Sequence, residues 1–123
     1  MSDQARLIRG GVYLANLKPS KGSEPGKVRP VLVVQNNWLN ELSHPTVIIL
    51  PLSTVLIDDV EPLRFRLEAR DLLHSNSDVL CDQVRALDAR RITSDCLTLL
   101  SSNEMKQVEH NLQQVLALAS TLG

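Results

Sequence analysis

The residues best suited to chemistry sit at the borders of apolar runs. The segment from Lys18 to Pro30 reads Lys-Pro-Ser-Lys-Gly-Ser-Glu-Pro-Gly-Lys-Val-Arg-Pro and ends as a β-branched run begins. An arginine at such a strand entrance, its fork held by the rigid proline next to it, can bind an oxyanion through two parallel hydrogen bonds. Glu24 could orient Arg29 or take a proton; equally, the two could form an exposed ion pair worth about 0–1 kcal/mol. Ser53 and Thr54 come directly after the run Val47 to Leu52. Hydroxyls at a strand end often only satisfy turn backbone, and they gain chemical interest if that end meets Arg29 in space. A third candidate is Asp82-Gln83-Val84-Arg85, among apolar Val79, Leu80, Cys81 and Val84. A carboxylate buried there is costly unless paired, so Asp82 is expected to be either salt-bridged to an arginine or functional. His44, His74 and His110 could supply a general acid–base pair, but nothing in their positions brings two of them together. No His, Asp or Glu cluster has metal-ligand spacing, so neither a metal nor another cofactor is expected.

The elements that must position these groups belong to a small globular chain. At 123 residues and 13.6 kDa it is expected to form one domain spanning 1–123. Its 43% hydrophobic and 22% charged residues exclude a disordered or collagen-like chain. Aromatics are only 2%, which argues against single-strand binding on rows of stacked rings. The formal charge is −1, yet through Gln35 there are six basic residues against two acidic ones, a local excess of about +4 that could draw in a polyanion. Cys81 and Cys96 are too few for a secreted disulfide scaffold. The apolar runs are far shorter than a bilayer span and no signal-like core leads the chain, so a cytoplasmic protein with reduced thiols and no membrane contact is expected.

Strands are expected over Gly11 to Leu17, Pro30 to Gln35 and Thr46 to Leu52, the last stopped or bent at Pro51. The first is apolar on both pleat faces, as suits a closed or covered sheet. Lys18 to Arg29 is read as a long loop, and Asn36-Asn37 as a turn. Leu63 to Ala69 alternates as a half-exposed strand; Asp78 to Asp88 gives one or two more, and Cys96 to Leu100 a short last one. Ser101 and Glu104 form a capping-box pattern. Beyond it Met105, Val108, Leu112, Val115, Leu116, Ala119 and Leu122 share one side of a helix, with His110 among the polar residues opposite. Many short strands and one terminal helix suggest a mainly β, small barrel with helical additions.

The blocks Arg9-Gly10-Gly11-Val12-Tyr13-Leu14, Gly22-Ser23-Glu24, Arg29-Pro30-Val31-Leu32-Val33-Val34, Pro51-Leu52-Ser53-Thr54 and Cys81-Asp82-Gln83-Val84-Arg85 occur in the order seen in MazF/PemK toxins, which the chain resembles over nearly its whole length. The resemblance implies an SH3-like barrel (CcdB/PemK-like) with appended helices, working as a homodimer. It implies metal-independent cleavage of single-stranded RNA, and neutralisation by a cognate antitoxin whose disordered tail folds along the toxin. Arg29 matches the family's catalytic arginine, and Ser53 its usually threonine hydroxyl position, with Thr54 adjacent. Glu24 matches the loop acid and Asp82 a carboxylate used by some members. Lys18, Lys21, Lys27, Gln83 and Arg85 are the expected RNA-contacting residues. Gly11 and Asn16 stand where Asp is common, Pro25 where Gln is, and Leu80 where some members carry an arginine. The last departure removes one half of an Asp82–arginine acid–base scheme and favours Arg29 with Ser53.

In that scheme the ribose 2′-OH attacks the adjacent phosphorus, leaving a 2′,3′-cyclic phosphate and a 5′-OH end, with Glu24 or Asp82 as base. Two other readings stay open. One is a non-enzymatic poison of the same barrel, like the CcdB toxins that trap DNA gyrase; these end in a Trp-Gly-type motif, absent from Ser120-Thr121-Leu122-Gly123. The other is an interaction module of this fold without catalysis.

Overall fold

The structure, a computed structural model, describes residues 6–18 and 27–118. Among these residues seven strands and two α-helices succeed one another: β1 (Gly11–Lys18), β2 (Lys27–Val33), α1 (Asn37–Glu41), β3 (Thr46–Ser53), β4 (Arg64–Leu67), β5 (Ser77–Leu80), β6 (Arg85–Asp88), β7 (Thr98–Leu99) and α2 (Ser102–Val115). Ala89–Arg91 adds one 3₁₀ turn after β6. All pairings among the described residues are antiparallel, in the order β4-β5-β3-β2-β1-β7, with β6 sharing with β5 the edge of β3 opposite β2. The sheet curls until Ile92, past the 3₁₀ turn, bridges Ala15 of β1. This is the mainly β, barrel-like architecture expected, with the terminal helix in place.

β3 explains the curl. Its first half pairs with β6 through Ile49, and its last two residues pair with β5. Pro51 falls between these stretches, where a residue without an N–H disturbs no ladder on that side. The strand therefore passes through Pro51 and changes partner there. Because both faces are covered, alternate residues enter separate cores. Val12, Leu32, Leu50 and Leu52 join α2 residues Met105 and Val108 in one. Tyr13, Ala15, Val31, Val33, Val47, Ile49 and Leu87 form the other. Fully burying each larger aliphatic side chain contributes about 1.5–3 kcal/mol, enough to fix the register. Gly11 is also explained: a Cβ there would lie 2.8 Å from Cε1 of buried Tyr13.

Several boundaries differ from the sequence reading. β1 runs to Lys18 and β2 starts at Lys27, because their register extends to Asn16–Val28 and Lys18–Lys27. The loop is shorter by those residues; Lys21 and Glu24 lie outside the described residues, as does the Lys18 side chain. Asn36 opens a helix rather than a turn: its side chain accepts from Trp38 N–H at 2.8 Å, a capping geometry. Of the run Leu63 to Ala69 only Arg64–Leu67 is strand. Ser101 and Glu104 do form a capping box. α2 ends at Val115, Leu116 is half exposed, and Ala119 and Leu122 lie outside the described residues.

Among the described residues the buried carboxylate is Asp78, not Asp82, which is exposed in the turn after β5. Asp78 accepts from Arg66 Nε, from Arg64 Nη1 at 3.0 Å and from the Ile57 N–H at 2.9 Å. Burial alone would raise its pKa, but these bonds, Arg66 foremost, hold it below the usual carboxylate value. Across the molecule Arg70 grips Glu104 with two bonds of 2.7 Å, tying the start of α2 to the sheet.

Replacing Asp78 with Asn leaves two arginines facing a neutral amide and should lower stability by about 3 kcal/mol in urea unfolding. A depressed folded-state pKa stabilises fully above the unfolded value near 4 and less as pH falls through the folded value. The unfolding midpoint of Asp78→Asn should therefore fall less steeply below about pH 4 than that of the parent chain.

Candidate functional site

The site lies where the second core runs out. Arg29 shares a pleat face with Val31 and Val33, and Ser53 shares one with Pro51 and Ile49. β2 and β3 pair Val31 with Pro51, and the same register carried two residues further sets Arg29 across from Ser53. Both line one cleft of about 440 Å³. Lys27 and Arg85 supply two further cations, Gln83 an amide, and Leu17, Pro51, Leu52 and Leu80 an apolar floor. Among the described residues no carboxylate lines this cleft, and Lys27, Arg29 and Arg85 form no ion pair. Three cations over an apolar floor make a local field suited to an anion.

Ser53 is oriented by its own turn, since its Oγ accepts from the Val55 N–H at 3.1 Å. That bond occupies a lone pair and leaves the hydroxyl proton available to donate into the cleft. Thr54, by contrast, is exposed and does not line the cleft. Asp82 is also absent from the lining, although the next residue, Gln83, is part of it. The ion pair expected of a buried Asp82 does not form, because the turn after β5 turns its side chain to solvent. Arg29, Ser53, Lys27, Gln83 and Arg85 are thus brought together; Thr54 and Asp82 stand outside.

The histidines stay apart from this cleft. His44 lines a separate hollow of about 510 Å³ beside Asn40 and Asp88. Buried Gln35 braces that end, donating to Asn40 Oδ1 at 3.0 Å and to the Thr46 carbonyl at 3.1 Å. His110 pairs with Gln114 on the exposed side of α2. Among the described residues no three His, Cys, Asp or Glu side chains converge to hold a metal ion, and both cysteines are free. No helix of the described residues is long and apolar enough to cross a membrane.

Sequence reasoning missed the groups that brace the cleft. The Leu17 carbonyl accepts from Arg85 Nη2 at 3.4 Å and from Arg91 Nη1 at 3.3 Å. A signal for Arg91 was present in Asp88-Ala89-Arg90-Arg91. The Asp88 side chain accepts from the Arg90 N–H at 2.9 Å and so caps the 3₁₀ turn that carries Arg91. The Arg90 guanidinium pulls the Asp88 carboxyl down to about 2.

Comparison with known proteins agrees with this geometry. The family model described as "PemK-like, MazF-like toxin of type II toxin-antitoxin system" matches residues 8–116. The chain is 39% identical over 113 residues to Endoribonuclease MazF of Staphylococcus epidermidis, covering 91% of this chain and 92% of the relative. It superposes on a MazE-MazF crystal structure from Deinococcus radiodurans with a TM-score of 0.77 at 23% identity, covering 93% of this chain and 98% of the other. An endoribonuclease in complex with its cognate antitoxin, from a mycobacterial species, gives 0.68 at 23% identity over 94% of this chain and 97% of that one. The two structural likenesses show the fold. The family match and the 39% relative show the lineage: the chain belongs to the PemK-like, MazF-like toxins of type II toxin–antitoxin systems.

Proposed function

We propose that this chain is an endoribonuclease that cuts single-stranded RNA by internal transesterification, and so arrests translation. The observation that carries the reading is the convergence of Arg29 and Ser53 on one cleft with Lys27 and Arg85 and no carboxylate in its described lining. Attack of the 2′-OH on phosphorus builds negative charge on the phosphorane oxygens. The Arg29 guanidinium and the Ser53 hydroxyl are preorganised donors for that charge. A carboxylate takes the 2′-OH proton: Glu24, or Asp82, which precedes Gln83 in the chain. Products are a 2′,3′-cyclic phosphate and a 5′-OH end, and no metal takes part in the scheme. Lys27 and Arg85, with Lys18 and Lys21, would hold flanking phosphates, while Gln83 is suited to hydrogen-bond an unstacked base.

The same reading makes residues 1–123 one domain that acts in the cytoplasm as a homodimer and is silenced by a cognate antitoxin. Two basic clefts brought into one groove would give a chain of net charge −1 a positive channel. The 39% relative is named an endoribonuclease, and one structural neighbour is held by its cognate antitoxin.

With purified protein and excess EDTA, single-stranded RNA should be cut to 5′-OH ends, and the all-deoxy oligonucleotide should survive. Arg29→Ala should lower kcat by about 10²–10³, the cost of one preorganised donor. Gyrase trapping without RNA cleavage would point instead to the CcdB-like reading, and binding without either to an inert module. Lys27→Ala and Arg85→Ala should each weaken RNA binding and reduce the slope of log affinity against log salt by about 1, measured by titration at several salt concentrations.

A further inference from the structure

We propose that Arg91 is a positioning residue: through the Leu17 carbonyl it holds the bulged end of β1 and, with it, the side of the cleft that Leu17 and Arg85 line. The proposal rests on the ribonuclease reading for its kinetic consequence, though its geometry stands apart from the reaction. The β1–β2 register slips between Asn16–Val28 and Lys18–Lys27, which leaves Leu17 as the extra residue of a β-bulge. Bulges near active sites bend a strand and re-aim the side chains beside them. Before the bulge, the even-numbered carbonyls of β1 face the returning chain: Val12 accepts from Leu97 N–H at 2.7 Å and Leu14 from Thr93 N–H at 2.8 Å. At the bulge, the odd-numbered Leu17 takes that role, and its partners are two guanidinium groups rather than backbone.

A gap in the ring explains why side chains are needed. The bridge between Ala15 and Ile92 closes β1 on the edge away from β2, and beyond it, on that edge, no backbone of the described residues pairs with Asn16 to Lys18. Arg85 and Arg91 span the opening. A carbonyl has two lone pairs and can satisfy both. Their roles differ, because Arg85 lines the cleft and Arg91 does not. Arg91 is half-buried behind Leu17, on the turn that Asp88 caps, and forms no ion pair among the described residues. It therefore sets the carbonyl against which Arg85 rests, while touching no substrate itself.

The test uses the full chain with Arg91→Ala and Arg91→Lys. It reads kcat and KM on single-stranded RNA, affinity for the uncleavable deoxy oligonucleotide, melting temperature, and amide exchange at Lys18 and Lys27. Arg91→Ala should lower kcat by about 10- to 100-fold through misplacement, as small shifts of a catalytic wall do. KM and deoxy-oligonucleotide affinity should stay within about 3-fold, the signature of lost alignment rather than lost binding. Exchange at the Lys18–Lys27 end should quicken by about 10-fold with the melting temperature held, a local rather than global opening. Lysine keeps a donor for the carbonyl, so Arg91→Lys should recover most of both effects.

Loss of oligonucleotide affinity with kcat retained would make Arg91 a direct phosphate contact and overturn the proposal. So would unchanged exchange, or an equal fall in melting temperature and activity in both variants. If the parent chain cuts no RNA, the ribonuclease reading falls, and the exchange measurement alone decides whether Arg91 holds the bulge.

Discussion

Where Val31 and Pro51 give way to Arg29 and Ser53, the second core ends, and the basic cleft opens at that boundary. A curled sheet covered on both faces has room for a guanidinium only where apolar side chains stop. One step deeper, Arg29 would meet Val33, Ile49 and Tyr13, all essentially inaccessible to water, and desolvating an unpaired charge there would cost several kcal/mol. At the rim the same side chain keeps part of its hydration while an apolar floor strengthens its field. Core packing and the placement of charge are one constraint seen from two sides.

The polar groups away from the cleft obey the opposite rule. Asp78 is buried and matched by Arg64, Arg66 and a backbone N–H. Glu104 is matched by Arg70 and by the Ser101 N–H. Such groups fix how the β4–β5 hairpin and α2 sit against the barrel. Their hydrogen-bonding capacity is used up within the chain. Lys27, Arg29 and Arg85 differ in that the described residues leave their charge without a counter-ion.

Much of this was legible in the sequence, and the reasons can be traced to particular residues. The run Gly11 to Leu17 announced a strand covered on both faces, the runs at Val31 and Val47 two more strands, and Ser101 with Glu104 the start of α2. Arg29 was readable as a candidate from its place before Pro30, and Ser53 from its place after the run Val47 to Leu52, but their convergence was not, since it depends on the register between β2 and β3. Asp82 misled because a window of apolar neighbours does not reveal a turn, whereas Asp78 four residues before it lies inside the strand. Its partners Arg64 and Arg66 belong to a strand joined to it through Phe65–Val79, a pairing no local pattern encodes. The brace at Leu17 was invisible for a related reason: a bulge is a mismatch between two strands and belongs to neither alone.

The closure between Ala15 and Ile92 also orders events in time. Leu17 and Arg91 are 74 residues apart, and Leu14 and Ser94 are 80. Contacts this remote in the chain are slow to form, because a large loop must close before they gain anything. A polypeptide still being synthesised has β1, β2 and β3 long before it has Arg85 or the turn after β6. Until those last segments leave the ribosome, the nascent chain lacks a wall of its own cleft.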